Sequence, residues 1–127
     1  MRILLDTHVL VWMHTNPKML GKQTQQALKN ASAVFYSPLS VFEFSQKLAS
    51  KKASAKDLIN ASAAVGLQQL PLTVEAALEA ARFGSLRKRD PMDLLLLSQA
   101  SAQRLHFFTA DRVLLDLDFD FVKNAEL

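Results

Sequence analysis

The chain has no cysteine, so neither a disulfide nor a thiolate metal site is open to it, and the reducing cytoplasm is the expected compartment. Only three glycines and four prolines interrupt its 127 residues, which argues against low-complexity or collagen-like structure. Long hydrophobic runs are missing as well. The longest nearly unbroken one, Met92 to Leu97, falls far short of the roughly 20 residues that cross a bilayer, so no membrane association is expected. The opening MRILLDTHVLVWM resembles a leader only superficially: Asp6 and His8 break its apolar segment and no small-residue cleavage site follows. It reads as a buried strand.

What is present is a chain that is 50% hydrophobic, at a length suited to one domain, residues 1–127, around one core. The net charge of +3 favours polyanionic partners without naming one. Positive residues crowd in KLASKKASAK and SLRKRD, whereas the stretch from Asp111 onward carries five acids against two bases. A basic rim beside an acidic centre suits a phosphodiester substrate. Solvated helix ends are the plainer reading of the same lysines.

Periodicity gives alternating strands and helices. Ile3–Leu5 reads as a strand ending at Asp6, and Val9–Met13 then turns helical. Lys22–Asn30 is a polar surface helix, and AVFYS a strand stopped by Pro38. Ser40 followed by Glu43 has capping-box spacing and predicts a helix from Ser40 to Ala49; Ser54 with Asp57 predicts another to about Val65. GLQQLPL is a short strand. Thr73 caps a helix whose apolar face is expected to be Val74, Ala77, Leu78, Ala81 and Phe83. Asp90 as cap, with Pro91 at the first helical position, opens the clearest helix, to about Gln103. LHFFT is a fourth strand, a helical turn follows Asp111, and DFDFV alternates like a final edge strand with Asp116, Asp118 and Asp120 on its wet face. The Asp116–Asp120 alternation lacks the following glycine of a calcium loop.

Strands alternating with helices imply a parallel α/β sheet, and such sheets bind ligands outside the carboxyl ends of their strands. Asp6 and Asp111 follow strands, Glu43 lies one turn into the helix after the second strand, and Asp93 begins a helix that must return antiparallel to the fourth. All four acids therefore belong at one edge. Carboxylates gathered there would repel unless a cation joined them, and their oxygens are what Mg²⁺ and Mn²⁺ prefer. Singly, each has a plainer role: Glu43 in a capping box, Asp93 in a first helical turn, Asp111 as a cap. Asp6, at the end of an apolar strand, is harder to explain that way. His8, one turn from Trp12, reads as a packed helix-start residue.

Together LLDTHVLVW, SPLSVFEFSQK, RDPMDLLLLSQA and FFTADRVL resemble, in order and spacing over almost the whole chain, the four acidic motifs of PIN-domain ribonucleases, in particular VapC-like toxins of bacterial toxin–antitoxin pairs. The resemblance implies a three-layer α/β/α domain with a mainly parallel sheet of four to five strands. It makes Asp6, Glu43, Asp93 and Asp111 the catalytic and metal-binding acids, with Asp93 preferred over Asp90 for the third motif because it precedes the apolar LLLLSQA helix, and Thr109 a polar helper near the phosphate; Asp90, Arg89 and Arg112 are further candidates for support or substrate binding. It further implies Mg²⁺ or Mn²⁺ as cofactor, RNA as substrate, a homodimer, a cognate antitoxin, and operator DNA reached only through that antitoxin. Phe42, Phe44 and Leu48 are candidates for the antitoxin's apolar patch or for core.

Two other classes compete. One is a non-catalytic PIN-fold module that binds RNA or protein and keeps an acidic metal site. The other is an aspartyl-phosphate phosphatase or a receiver domain; the phosphatase wants a second Asp where His8 stands, and the receiver wants paired acids before its first strand ends.

Overall fold

The computed structural model describes residues 1–86 and 90–127. It places β1 (Arg2–Leu5) at the centre of a five-stranded sheet in which every pairing is parallel. After β1 come α1 (Thr7–Thr15), a 3₁₀ turn (Pro17–Met19) and α2 (Lys22–Asn30), then β2 (Ala33–Tyr36), α3 (Pro38–Lys47), α4 (Ala55–Ala64) and β3 (Gln68–Gln69). The second half comprises α5 (Val74–Glu79), a 3₁₀ segment (Ala80–Leu86), α6 (Pro91–Gln103), β4 (His106–Thr109), α7 (Arg112–Asp116) and β5 (Val122–Asn124). The sheet order is β3-β2-β1-β4-β5. The chain therefore winds outward from β1 to β3, then returns past β1 and winds the other way. This reversal opens a crevice at the carboxyl ends of β1 and β4, the position where open α/β sheets take ligands.

Two-residue alternation along each strand makes the layers. Ile3, Leu5, Tyr36 and Phe108 point to one side and pack with Val9 and Leu10 of α1, Phe44 of α3 and Leu58 of α4. Leu4, Phe35 and Phe107 point to the other side, against Leu96, Leu97 and Ala100 of α6 and Leu114 of α7. Burying a leucine or phenylalanine contributes about 1.5–3 kcal/mol, so these two apolar faces fix both helical layers to the sheet. The result is the expected three-layer α/β/α arrangement, with the strand number at the upper end of the expected range.

Local chemistry sets the helix starts. Asp90 Oδ1 accepts from the Met92 amide, and Pro91 occupies the first position of α6. The Ser54–Asp57 capping box forms as its spacing predicts. The third helix differs from expectation: its cap is Ser37, whose Oγ accepts from the Leu39 amide, and Pro38 starts the helix two positions before Ser40. A proline with its fixed φ suits the first position, whereas the Ser40 hydroxyl is buried inside the helix and accepts from Thr7 Oγ1 at 2.9 Å.

The expected apolar face of α5 is also overturned. Val74 and Leu78 are 72% and 71% exposed, while Ala76 and Phe83 are buried. The helix ends at Glu79 and the backbone kinks at Phe83, so a single helical period does not run through the segment. The final strand begins at Val122 rather than within DFDF. Asp118 takes a left-handed conformation (φ 56°) in the turn before it, Asp116 ends α7, and Phe119 and Phe121 pack on Phe83. Among the described residues no helix is long and apolar enough to cross a membrane.

Candidate metal centre

Asp6 stands where β1 passes into α1. Its amide donates to the Phe108 carbonyl, its Oδ1 accepts from the Thr7 amide at 2.8 Å, and its Oδ2 accepts from Thr109 Oγ1 at 2.6 Å. Thr109, the last residue of β4, is fully buried and its Oγ1 also accepts from the Asp111 amide at 3.0 Å. One hydroxyl thus ties the ends of the two central strands together. Asp111 caps α7 through bonds from the amides of Val113 and Leu114.

Glu43 lies in the middle of α3 and is buried; Asp93 is in the first turn of α6. The two approach the same crevice because α3 leaves the end of β2 and α6 runs into β4 by a short turn. A cavity of about 410 Å³ is lined by Asp6, Glu43, Asp90, Asp93 and Asp111, and also by His8, Trp12, Lys47 and Ala110. The four acids expected to converge therefore do so, with Asp90 beside them. Lys47 bridges two of them, its Nζ 3.5 Å from Glu43 Oε2 and 3.1 Å from Asp90 Oδ2.

The electrostatics record this crowding. Burial raises the Asp6 carboxyl; the bonds from Thr109 and Thr7 pull it back, while Glu43 pushes it up and His8 draws it down. Asp93 is pushed up to about 6, first by desolvation and then by Asp6, Asp111, Asp90 and Glu43. The Lys47 ammonium is held above its ordinary range by its bond to Asp90 and by the charges of Asp90 and Glu43. Clustered carboxylates that raise one another carry excess negative charge, the condition a bound cation relieves.

Among the described residues no three of the His, Asp and Glu side chains are already arranged around one ion position. The donor chemistry nevertheless fits a hard divalent ion, because the four acids offer carboxylate oxygens. Asp6, Glu43, Asp93 and Asp111 are the residues that would hold it.

Some expected supporting residues are placed differently. Arg112 is exposed at the start of α7 and does not line the cavity, and Arg89 lies outside the described residues. His8 is not the packed residue expected; it is exposed at the cavity, its ring 6.4 Å from that of Trp12 in an edge arrangement. The sequence reading gave no site role to Lys47, although its four-residue spacing from Glu43 on a helix was a usable signal.

Residues 3–120 match the model of the PIN domain, and the chain belongs to that family. No curated protein sequence matches it. Among solved structures, VapBC2 from Rickettsia felis, bound to a DNA fragment from its promoter, superposes with a TM-score of 0.73 at 16% identity, covering 98% of each chain. DNA-bound VapBC from Salmonella typhimurium gives 0.71 at 16% over 97% of each. A member of the VapBC family of toxin–antitoxin systems from Mycobacterium tuberculosis, VapBC-5, gives 0.62 at 19%, covering 99% of this chain and 98% of that one. At these identities the likeness is one of fold.

Proposed function

We propose that the protein is a Mg²⁺- or Mn²⁺-dependent endoribonuclease and the toxin of a toxin–antitoxin pair. The observation that carries this reading is the convergence of Asp6, Glu43, Asp93 and Asp111 on one cavity at the sheet's reversal point. A divalent ion bound there supplies Lewis-acid stabilisation of phosphate charge and makes water a better nucleophile. The chain's own residues orient and restrain. Thr109 fixes one oxygen of Asp6, and the amide of Thr7 fixes the other. Asp111, tied to its helix by two amides, keeps its carboxylate at the cavity rim. No side chain is required to attack the phosphate.

Of the named structural relatives, one is VapBC2 with a DNA fragment from its promoter, one is a DNA-bound VapBC and one is a member of the VapBC family of toxin–antitoxin systems, and the overall fold is shared over nearly their whole length. By extension the protein acts in the cytoplasm as a homodimer, neutralised by an antitoxin that alone contacts operator DNA. For the antitoxin's apolar contact, Phe42 and Leu48 of the expected patch are exposed, whereas Phe44 is core.

The test is cleavage of a mixed RNA pool by the purified chain with Mg²⁺, Mn²⁺ or chelator, beside folded Asp6→Ala and Asp93→Ala variants. Metal-dependent cleavage lost in both variants is the expected result. Mn²⁺ binding without cleavage of any RNA would favour the non-catalytic binding module instead.

A further inference from the structure

We propose that Lys47 is a built-in counter-cation of the acidic pocket, supplying part of the charge a divalent ion would bring and competing with that ion for the Glu43 carboxylate. The inference rests on the metal-dependent reading above. Lys47 sits one turn beyond Glu43 on α3, and an ordinary helical pair would end there. Its shorter contact instead crosses to Asp90, the cap of α6, so that one ammonium spans two helices at the mouth of the cavity.

Chemistry makes the two occupants exclusive. A lysine ammonium is a compact, hydrated point charge with three donors and no acceptor, so it cannot become a metal ligand. Within a few ångströms of a divalent ion it can only repel it. The side chain is 58% exposed on a flexible stem, and exposed pairs of this kind are weak, so the ammonium leaves readily when a stronger cation arrives. Before that it reduces the repulsion between Glu43 and Asp90.

The test is calorimetric titration of Mn²⁺ into the metal-free full chain at one fixed pH. Wild type, Lys47→Met and Lys47→Arg are compared at low and high salt. Removing one positive charge so close to the ion is expected to tighten Mn²⁺ binding roughly tenfold in Lys47→Met, with a smaller gain at high salt. Lys47→Arg keeps the charge and is expected to bind like wild type. Equal or weaker binding by folded Lys47→Met overturns the role given to Lys47 while leaving the metal site intact. A wild type that takes up no Mn²⁺ overturns the metal reading itself, and this inference with it.

Discussion

Thr109 Oγ1 donates to Asp6 Oδ2 at 2.6 Å while accepting from the Asp111 amide, so one buried hydroxyl serves two of the acids at once. Thr109→Val keeps the shape and removes the hydroxyl. The buried Asp6 carboxylate then loses a charge-assisted bond, which costs about 1.5–3 kcal/mol in stability. Mn²⁺ affinity should fall as well, because Asp6 becomes harder to ionise. Thr109→Ser, which retains the donor, should recover most of both losses; thermal melts and metal titration of the two variants check this.

The raised pKa of Asp93 makes stability depend on pH in a defined direction. Its carboxyl is pushed up to about 6 in the folded chain from an ordinary value of 3.8, so between those values the folded state binds more protons than the unfolded one. The metal-free protein therefore loses stability as pH rises from about 4 to 6, and the penalty is complete above 6. Because the group is only half-buried, the effect is discounted for solvent screening to about 1–2 kcal/mol. Asp93→Asn should flatten this slope in urea denaturation series. In wild type, Mg²⁺ or Mn²⁺ should raise Tm more at pH above 6 than below it, since the ion takes the place of the proton.

A buried amide braces the frame of the site. Ser37 Oγ donates to Gln99 Oε1 at 2.5 Å, and Gln99 Nε2 donates to the Leu70 carbonyl at 3.0 Å, joining the start of α3, the middle of α6 and the end of β3. Gln99→Leu strands both partners in the dry interior. The expected cost is about 2–4 kcal/mol, read from the midpoint of chemical denaturation at unchanged m-value.

Gly21 precedes α2 where the backbones of Glu126 and Leu127 press against it, and a Cβ there would overlap both. Gly21→Ala must therefore push the last residues away, breaking the bond from the Thr24 amide to the Leu127 carbonyl. A loss of about 1–3 kcal/mol is expected, with faster amide exchange confined to residues 21–24 and 124–127.

The legible parts of the chain were those governed by one dominant local rule. The Ser54–Asp57 box and the Asp90-Pro91 start fall where cap chemistry and helical period agree, and Lys22–Asn30 forms the polar surface helix its pattern predicts although Gly21 gives it no side-chain cap. At Ser40 the capping-box spacing misled, because Pro38 takes the first helical position, Ser37 caps it and the Ser40 hydroxyl is buried against Thr7. At Val74–Leu86 periodicity failed because the segment changes from α to 3₁₀ geometry and leaves Val74 and Leu78 outside. DFDF alternates as a strand does, yet Asp118 turns the chain there and the phenylalanines face Phe83. The convergence of the four acids was legible because it follows from topology. The lysine between Glu43 and Asp90 was not, because half of its environment comes from a helix distant in sequence.

The reversal of the sheet around β1 also has a consequence in time. The Asp6–Thr109 bond spans 103 positions, and β4 must insert beside β1 before it can form. At ribosomal rates of roughly 5–20 residues per second, the last acid follows the first by some 5–20 seconds. During that interval every growing fragment lacks part of the acid set, so on the metal-dependent reading proposed above no growing fragment carries the complete site.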